Sequence, residues 1–417
     1  MRKLTMHETA AIPSSPRLDA LSGRSESRRH WKALLGACFG MGVGAAAYPI
    51  YIIPVIGLRL QDSFGWTHLQ TASLSSLALL GGAIGAPVAG RFVDTWSVRI
   101  PALISTAAVC LLLFMAGFAG EHILSWQIGA FLLMCLGSAS LSGAYSKLIC
   151  SLFFEMRGLA LGIVLGSASL LSLASLSLMD ALFDRLSIRG AFIAAGMIYV
   201  FLFLPLLAFL LPPAQRGASN EDDLITEEAV SVDWRALVLI SAAALLITMA
   251  ATGSAAQLPQ IARQLGEVSP VTLGSILAFG VLVVRPATGF LVDRLPAWAV
   301  TCAVFGAAAV GLMLLMLQIP GVAVACTLLI AGALGAELDL IAYLVARYVP
   351  ARRFGTVFGW IYAGMLLAGA AGPILLAILR DRTGDYGVAF GLAAGAAALA
   401  ALLITMLAVM PPRRLAL

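Results

Sequence analysis

Gly85-Ala-Pro-Val-Ala-Gly-Arg-Phe-Val-Asp94 and Val284-Arg-Pro-Ala-Thr-Gly-Phe-Leu-Val-Asp293 decide how this chain folds. Pro87 aligns with Pro286, Gly90 with Gly289, Val93 with Val292 and Asp94 with Asp293, each pair 199 residues apart. A second correspondence lies downstream. Arg157 with Gly158, Gly162 and Gly166 answers Arg353 with Gly355 and Gly359, the glycines now 197 residues apart. Two matches at nearly one offset imply a duplicated unit.

Each copy closes an apolar run, and such runs fill the chain. Hydrophobic residues make up 61% of it, charged residues 11%, and its mean hydropathy is +0.98. Soluble domains are about 45–50% apolar and about 25% charged. No soluble fold of 417 residues hides such an excess, so lipid is the expected solvent. Uncharged runs cover 33–58, 63–90, 100–120, 122–146, 158–179, 190–215, 236–262, 354–379 and 386–412. Residues 268–292 hold a single charge, Arg285. The run 295–336 is long enough for two helices and breaks at Pro320-Gly321. A helix needs about 20 residues to cross the hydrocarbon core, so twelve spans are expected. The alternating ten-residue segments of an outer-membrane barrel are missing.

The polar stretch 212–233 divides the spans six and six and reads as a solvated linker. The expected organisation is a tail over 1–30, a six-helix bundle over 31–211, the linker, and a second bundle over 234–417 with a short tail. With the N-terminus inside, nineteen of the 26 Lys and Arg residues fall on the inner side and six on the outer. The positive-inside rule then places both termini in the cytoplasm of a plasma or inner-membrane protein. That rule accounts for the net charge of +5 without a nucleic-acid partner. The six cysteines lie in or beside spans without a CxxC and read as small buried hydrophobes.

Polar groups at membrane depth are expensive and therefore functional candidates. Arg285 stands eight residues before Asp293, roughly 12 Å into the bilayer at 1.5 Å per residue. It needs a carboxylate, backbone carbonyls or an anionic substrate, and an anionic substrate at the transport depth is favoured over a fixed ion pair with an acid on another helix. Glu337 and Asp339 in span 10 are two apart and point about 200° away from each other. One is expected to pair with Arg285 or carry a proton, the other to pack on a neighbouring helix. Asp339 and Tyr343 share a face. Tyr48-Pro49-Ile50-Tyr51 interrupts span 1, and Gln257 and Gln260 occupy a similar place in span 7. In span 11, Tyr362 is preferred to Trp360 as a cavity residue because its hydroxyl can donate to an anion. Lys147 reads as a snorkelling residue.

The duplicated loop, Gly90-Arg-Phe-Val-Asp94-Thr-Trp-Ser-Val-Arg99 and Gly289-Phe-Leu-Val-Asp293-Arg294, resembles the signature of the major facilitator superfamily, departing from it at Thr95 and Ser97. The resemblance implies an all-α membrane protein: two six-helix bundles, related by a pseudo-twofold axis, around a cavity with alternating access. It also implies a conformational latch of Gly90, Asp94, Arg99, Gly289, Asp293 and Arg294. Arg285-Pro-Ala-Thr-Gly289, Arg157-Gly-Leu-Ala-Leu-Gly162 and Gly65-Trp66 are similar to the monocarboxylate transporter and oxalate–formate antiporter branch. There the span-8 Arg binds the substrate carboxylate, a role that falls to Arg285. Animal members have a Lys after the span-1 Pro and an Asp one turn before the span-8 Arg; Ile50 and Val281 stand here. Coupling would then rest on Glu337 or Asp339, or transport would be uniport or exchange.

The expected function is secondary transport of a small organic anion, a monocarboxylate, together with protons or by exchange. The expected protein is a monomer in the lipid bilayer, with no cofactor and no metal. Substrate contacts are expected from Arg285, Tyr48, Tyr51, Gln257, Gln260, Tyr343 and Tyr362. The alternative is export of drugs or neutral metabolites by the same fold, with Arg285 in a structural pair. An enzyme is disfavoured: HExxH and GxSxG do not occur, and neither does the GxxxxGK[ST] of an ATP-driven pump.

Overall fold

The computed structural model describes residues 16–96, 98–153, 157–212, 233–266, 268–292, 294–319, 321–349 and 351–410. Eleven helices among them are long and apolar enough to cross a membrane, and a bent pair, His30–Val43 with Ala45–Phe64, makes the twelfth span. After this span 1 come His68–Trp96 (span 2), Arg99–Ala116 (3), Ile123–Leu136 continued by Ser142–Leu152 (4), Arg157–Arg185 (5) and Ile188–Leu210 (6). The second half holds Trp234–Leu265 (7), Pro270–Val292 (8), Ala297–Met316 (9), Ala323–Tyr348 (10), Ala351–Thr383 (11) and Tyr386–Thr405 (12). No strand occurs among the described residues. The helix leading into span 1 begins at Pro16, inside the stretch read from sequence as a tail. Most of the linker, residues 213–232, lies outside the described residues.

The duplication is visible in the packing. Spans 1 and 5, 2 and 4, and 3 and 6 pair in the first lobe; 7 and 11, 8 and 10, and 9 and 12 pair in the second. Between the lobes, span 2 lies on span 11 and span 8 on span 5, which is the same pairing exchanged by the pseudo-twofold axis. The side on which span 1 begins and span 6 ends is called terminal here, and the opposite side distal.

Lipid tails are as apolar as leucine, so helices in a bilayer associate through close packing and interhelical hydrogen bonds rather than hydrophobic exclusion. Spans 7 and 11 show both. A Cβ on Gly372 would stand 2.4 Å from the Met249 carbonyl oxygen, and one on Gly253 would stand 2.9 Å from the Gly372 carbonyl carbon. Pro373 has no N–H, which leaves the Gly369 carbonyl without its helical donor. The Thr252 hydroxyl lies 3.2 Å from that oxygen, and Gln257 Nε2 donates to the Pro373 carbonyl at 3.3 Å. Gly372→Val is therefore expected to force the two backbones apart. Overpacking typically costs about 1–3 kcal/mol, and a lower melting temperature in detergent should show it. Gly395→Ala, whose Cβ meets nothing within 4 Å, should leave that temperature unchanged.

Span 1 breaks at Gly44, passes through a 3-10 turn at Ala45–Ala47, and enters a π-turn at Tyr48–Ile52. Span 4 breaks at Gly137–Ser140, which the apolar pattern did not signal. The two breaks brace each other: Ala45 N donates to Ser140 Oγ at 3.0 Å, and a Cβ on Gly137 would touch the Ala45 side chain. Ser105 of span 3 holds the same break, accepting from Ala139 N at 3.1 Å and donating to the Leu136 carbonyl. The backbone groups freed in the membrane thus find partners inside the lobe.

Candidate functional site

Arg285 sits on span 8, at the seam where this helix meets span 5 of the other lobe. Its Nη1 lies 3.7 Å from Asp339 Oδ2 on span 10. That is an ion pair too long for a hydrogen bond. Its Nε is buried and has no hydrogen-bond partner among the described residues. A guanidinium carries five donors in a planar fork. This one is only 19% exposed and is held at arm's length by an acid that is itself 42% exposed.

The other acid behaves differently. Glu337 is two residues from Asp339, so it turns to the far face of span 10 and is 8% exposed. The Thr248 hydroxyl of span 7 donates to Glu337 Oε2 at 3.2 Å. Arg285 remains within electrostatic reach of both acids, of Tyr362 on span 11, and of Tyr51 on span 1 across the seam. The Tyr51 hydroxyl in turn lies 3.5 Å from Ser169 Oγ on span 5. One cation, two carboxylates and two phenols from both lobes therefore converge at membrane depth.

A cavity of about 470 Å³ occupies the terminal half between spans 2 and 4 of one lobe and spans 10 and 11 of the other. Tyr362 lines it, ring-stacked on Phe358 at 6.3 Å, and connects it to the Arg285 cluster. Trp360 is 77% exposed and is not part of its wall. Ser138 and Lys147 add polar groups, beside Tyr362 and Phe358, to a wall otherwise of alanine, glycine, leucine, valine and proline. Lys147 is within 3.5 Å of the Val93 carbonyl and stands on this wall as well as near the membrane edge.

Four sequence candidates do not join the cluster. Tyr48 turns into the first lobe and bonds to Tyr199 of span 6, whose hydroxyl is 3.2 Å from Ser175 Oγ. The π-turn explains this, since one extra residue per turn rotates Tyr48 away from Tyr51. Gln257 is spent on the Pro373 carbonyl. Gln260 lies one turn too far toward the distal side. Tyr343 is held by Arg347, which donates to its hydroxyl at 3.1 Å. Sequence reasoning in turn missed Thr248 and Ser169, because single hydroxyls in an apolar span carry no pattern.

The distal side is shut between the lobes. Gln260 Nε2 donates to Gln61 Oε1 at 2.7 Å, and these residues are 199 apart, the offset of the duplicated loop. Symmetry-related positions thus meet on the pseudo-twofold axis. Beside them Arg263 grips both carboxylate oxygens of Asp62, one at 2.6 Å. Arg59 ties span 1 to span 5 through Asp180 (2.5 Å) and Asp184 (2.9 Å). With cysteines at positions 61 and 260 in an otherwise native chain, a short bifunctional thiol reagent should cross-link the two lobes in this state. Asp62→Arg or Arg263→Asp alone should lower the cross-linking yield and the double exchange should restore it. An exposed pair contributes about 0.2–1 kcal/mol, so each single reversal should shift the yield by a few-fold.

Among the described residues, the expected latch members are not joined across the terminal side. Arg99 Nη2 donates to the Ala208 carbonyl of span 6 at 2.9 Å, and Arg294 stacks over Phe290 at 3.8 Å, both within their own lobes. A Cβ on Gly90 or Gly289 would meet nothing within 4 Å. A close approach of spans 2 and 4 occurs instead at Gly85, where a Cβ would lie 2.2 Å from the Cys135 carbonyl oxygen. Of the described glycines in the second repeated motif, Gly166 packs on Leu282 of span 8, while Gly162 and Gly359 face open space. The side chain of Asp94 and all of Asp293 lie outside the described residues. A latch that closes the terminal side is not expected to be engaged when that side holds the cavity.

Twelve spans in two symmetric lobes, shut on one face and hollowed on the other, define a membrane transporter. The chain belongs to the Major Facilitator Superfamily, whose model matches residues 33–338. It is similar to monocarboxylate transporter 11 of Mus musculus, 27% identical over 383 residues, covering 84% of this chain and 83% of that protein. The Homo sapiens protein of the same name is 26% identical over 386 residues, covering 84% and 79%. Among solved structures, a variant of the E. coli fucose:proton symporter superposes with a TM-score of 0.61 at 16% identity, covering 90% of this chain and 98% of that one. That likeness speaks to the fold.

Proposed function

We propose that the protein carries a small monocarboxylate, held by Arg285, and moves it with a proton taken up by Glu337. The observation that carries this is the part-buried Arg285 guanidinium, with a buried and unused Nε and a counter-ion 3.7 Å away. A substrate carboxylate can replace Asp339 in the fork with two short charge-assisted hydrogen bonds, which the present pair lacks. Asp339, 42% exposed, is then free to withdraw from the fork. The likeness to monocarboxylate transporter 11 supports the same substrate class.

Charge arithmetic favours a proton partner. Arg285 with two ionised acids leaves the cluster one negative charge in excess, and an added anion would double it in a low-dielectric site. Neutralising Glu337 removes that excess. Glu337 suits the task because it is sealed from the cavity yet hydrogen-bonded to Thr248. Proline-bent span 1 and the two lobes would rock about this point as a monomer. By the positive-inside rule the terminal side faces the cytoplasm, so the conformation described is inward-facing with Asp62–Arg263 as the outer closure.

The apolar cavity wall suits a second reading, efflux of neutral apolar compounds, in which Arg285–Asp339 is only structural. Counterflow in proteoliposomes separates the two. Liposomes loaded with unlabelled monocarboxylates should take up labelled monocarboxylate, and those loaded with neutral compounds should not. Exchange of neutral compounds with no response to any carboxylate would reject the proposal.

A further inference from the structure

The first lobe contains a second cavity, of about 300 Å³, that the transport site does not use. It lies in the distal half, between spans 3 and 4, and runs inward to span 1. Its mouth carries Met115 and Ile128, 45% and 51% exposed, on the outer faces of their helices. Its floor is Tyr48, Ile52, Leu113, Leu133 and Phe192, all buried.

The duplicated fold supplies its own comparison. In the second lobe, spans 9 and 10 meet at Gly311, where a Cβ would stand 2.9 Å from Leu329 Cβ and 3.1 Å from the Cys326 carbonyl oxygen. Set back by the 199-residue repeat offset, the same place in span 3 is Leu112, which lines the cavity. A leucine where its counterpart has a glycine keeps spans 3 and 4 apart. Facing it across the gap, a Cβ on Gly129 would meet nothing within 4 Å. The volume is about ten times the roughly 30 Å³ share of one water, too large for a packing defect.

Water is a poor occupant. The polar side chains on the wall are few, and the two inner ones are engaged: Trp126 Nε1 donates to the Gly120 carbonyl at 2.9 Å, and Tyr48 bonds to Tyr199, while Ser125 is exposed near the start of span 4. A buried water needs about two to four polar partners. An empty apolar void forfeits dispersion contacts along its whole lining. The groove is continuous with the lipid-facing surface, where Leu111, Leu124 and Leu136 are more than half exposed. We infer that the groove between spans 3 and 4 is a lipid site that takes up one acyl chain of a bilayer phospholipid, seated against Tyr48 and the bend of span 1.

The test uses the intact protein in liposomes containing a phospholipid with a photoactivatable diazirine in mid-chain, followed by peptide mapping. Segments 112–116 and 125–133 should be labelled about tenfold more than their counterparts 311–315 and 324–332, as expected if the groove buries roughly two further methylenes. The counterpart face is a fair control, since Met313 and Leu328 there are 52% and 41% exposed. Gly129→Leu and, separately, Ala116→Leu should abolish the excess while labelling elsewhere persists. Equal labelling of the two faces would overturn the inference. So would loss of the label on adding a transported carboxylate, which would make the groove part of the substrate path.

Discussion

Arg285→Lys is expected to lower carboxylate counterflow by about ten- to a hundredfold, with the protein still folded and inserted. Lysine keeps the charge and loses the planar fork that meets both oxygens of a carboxylate. A hydrogen bond to a charged group contributes about 1.5–3 kcal/mol, which corresponds to that range of rates. Arg285→Gln should reduce counterflow to background. Neither change should unfold the protein, because the pair with Asp339 is 3.7 Å long and makes no hydrogen bond that folding depends on. Detergent stability measured beside transport separates the two effects. Full counterflow by Arg285→Lys would mean that Arg285 contributes charge alone, or nothing.

Glu337→Gln should separate coupling from movement. The amide can still accept from Thr248, at 3.2 Å in the native protein, so the span 7–span 10 contact is preserved. It cannot exchange a proton. A carrier that moves one anion with one proton accumulates substrate about tenfold per unit of pH gradient, since each unit is worth 1.36 kcal/mol. Glu337→Gln should lose that accumulation and keep exchange. Asp339→Asn should instead retain accumulation, because its proposed role is to be displaced from Arg285. If the two phenotypes are reversed, the proton belongs to Asp339.

The sequence is strongest where physics is periodic or repeated. Twelve spans, the break at Pro320-Gly321 and the six-plus-six division follow from run length and from Asp94 and Asp293. Arg285 stood out because a lone cation among 268–292 is costly. The 200° separation of Glu337 and Asp339 foretold that they would serve different neighbours, and they do. What stayed illegible was rotation about helices. The π-turn at Tyr48–Ile52 sends Tyr48 into the lobe and leaves Tyr51 near the seam. Gln257 and Gln260 share a span and a residue type, yet one secures the Pro373 carbonyl and the other the distal closure. Thr248 and Ser169 acquire meaning only from partners that lie far away in the chain.

The most direct measurement is a structure determined with a transported monocarboxylate bound. Both carboxylate oxygens should lie within ordinary hydrogen-bond distance of the Arg285 guanidinium, with Asp339 withdrawn from it and Tyr51 or Tyr362 alongside. A ligand bound elsewhere in the central cavity, with Arg285 still paired to Asp339, would contradict the account.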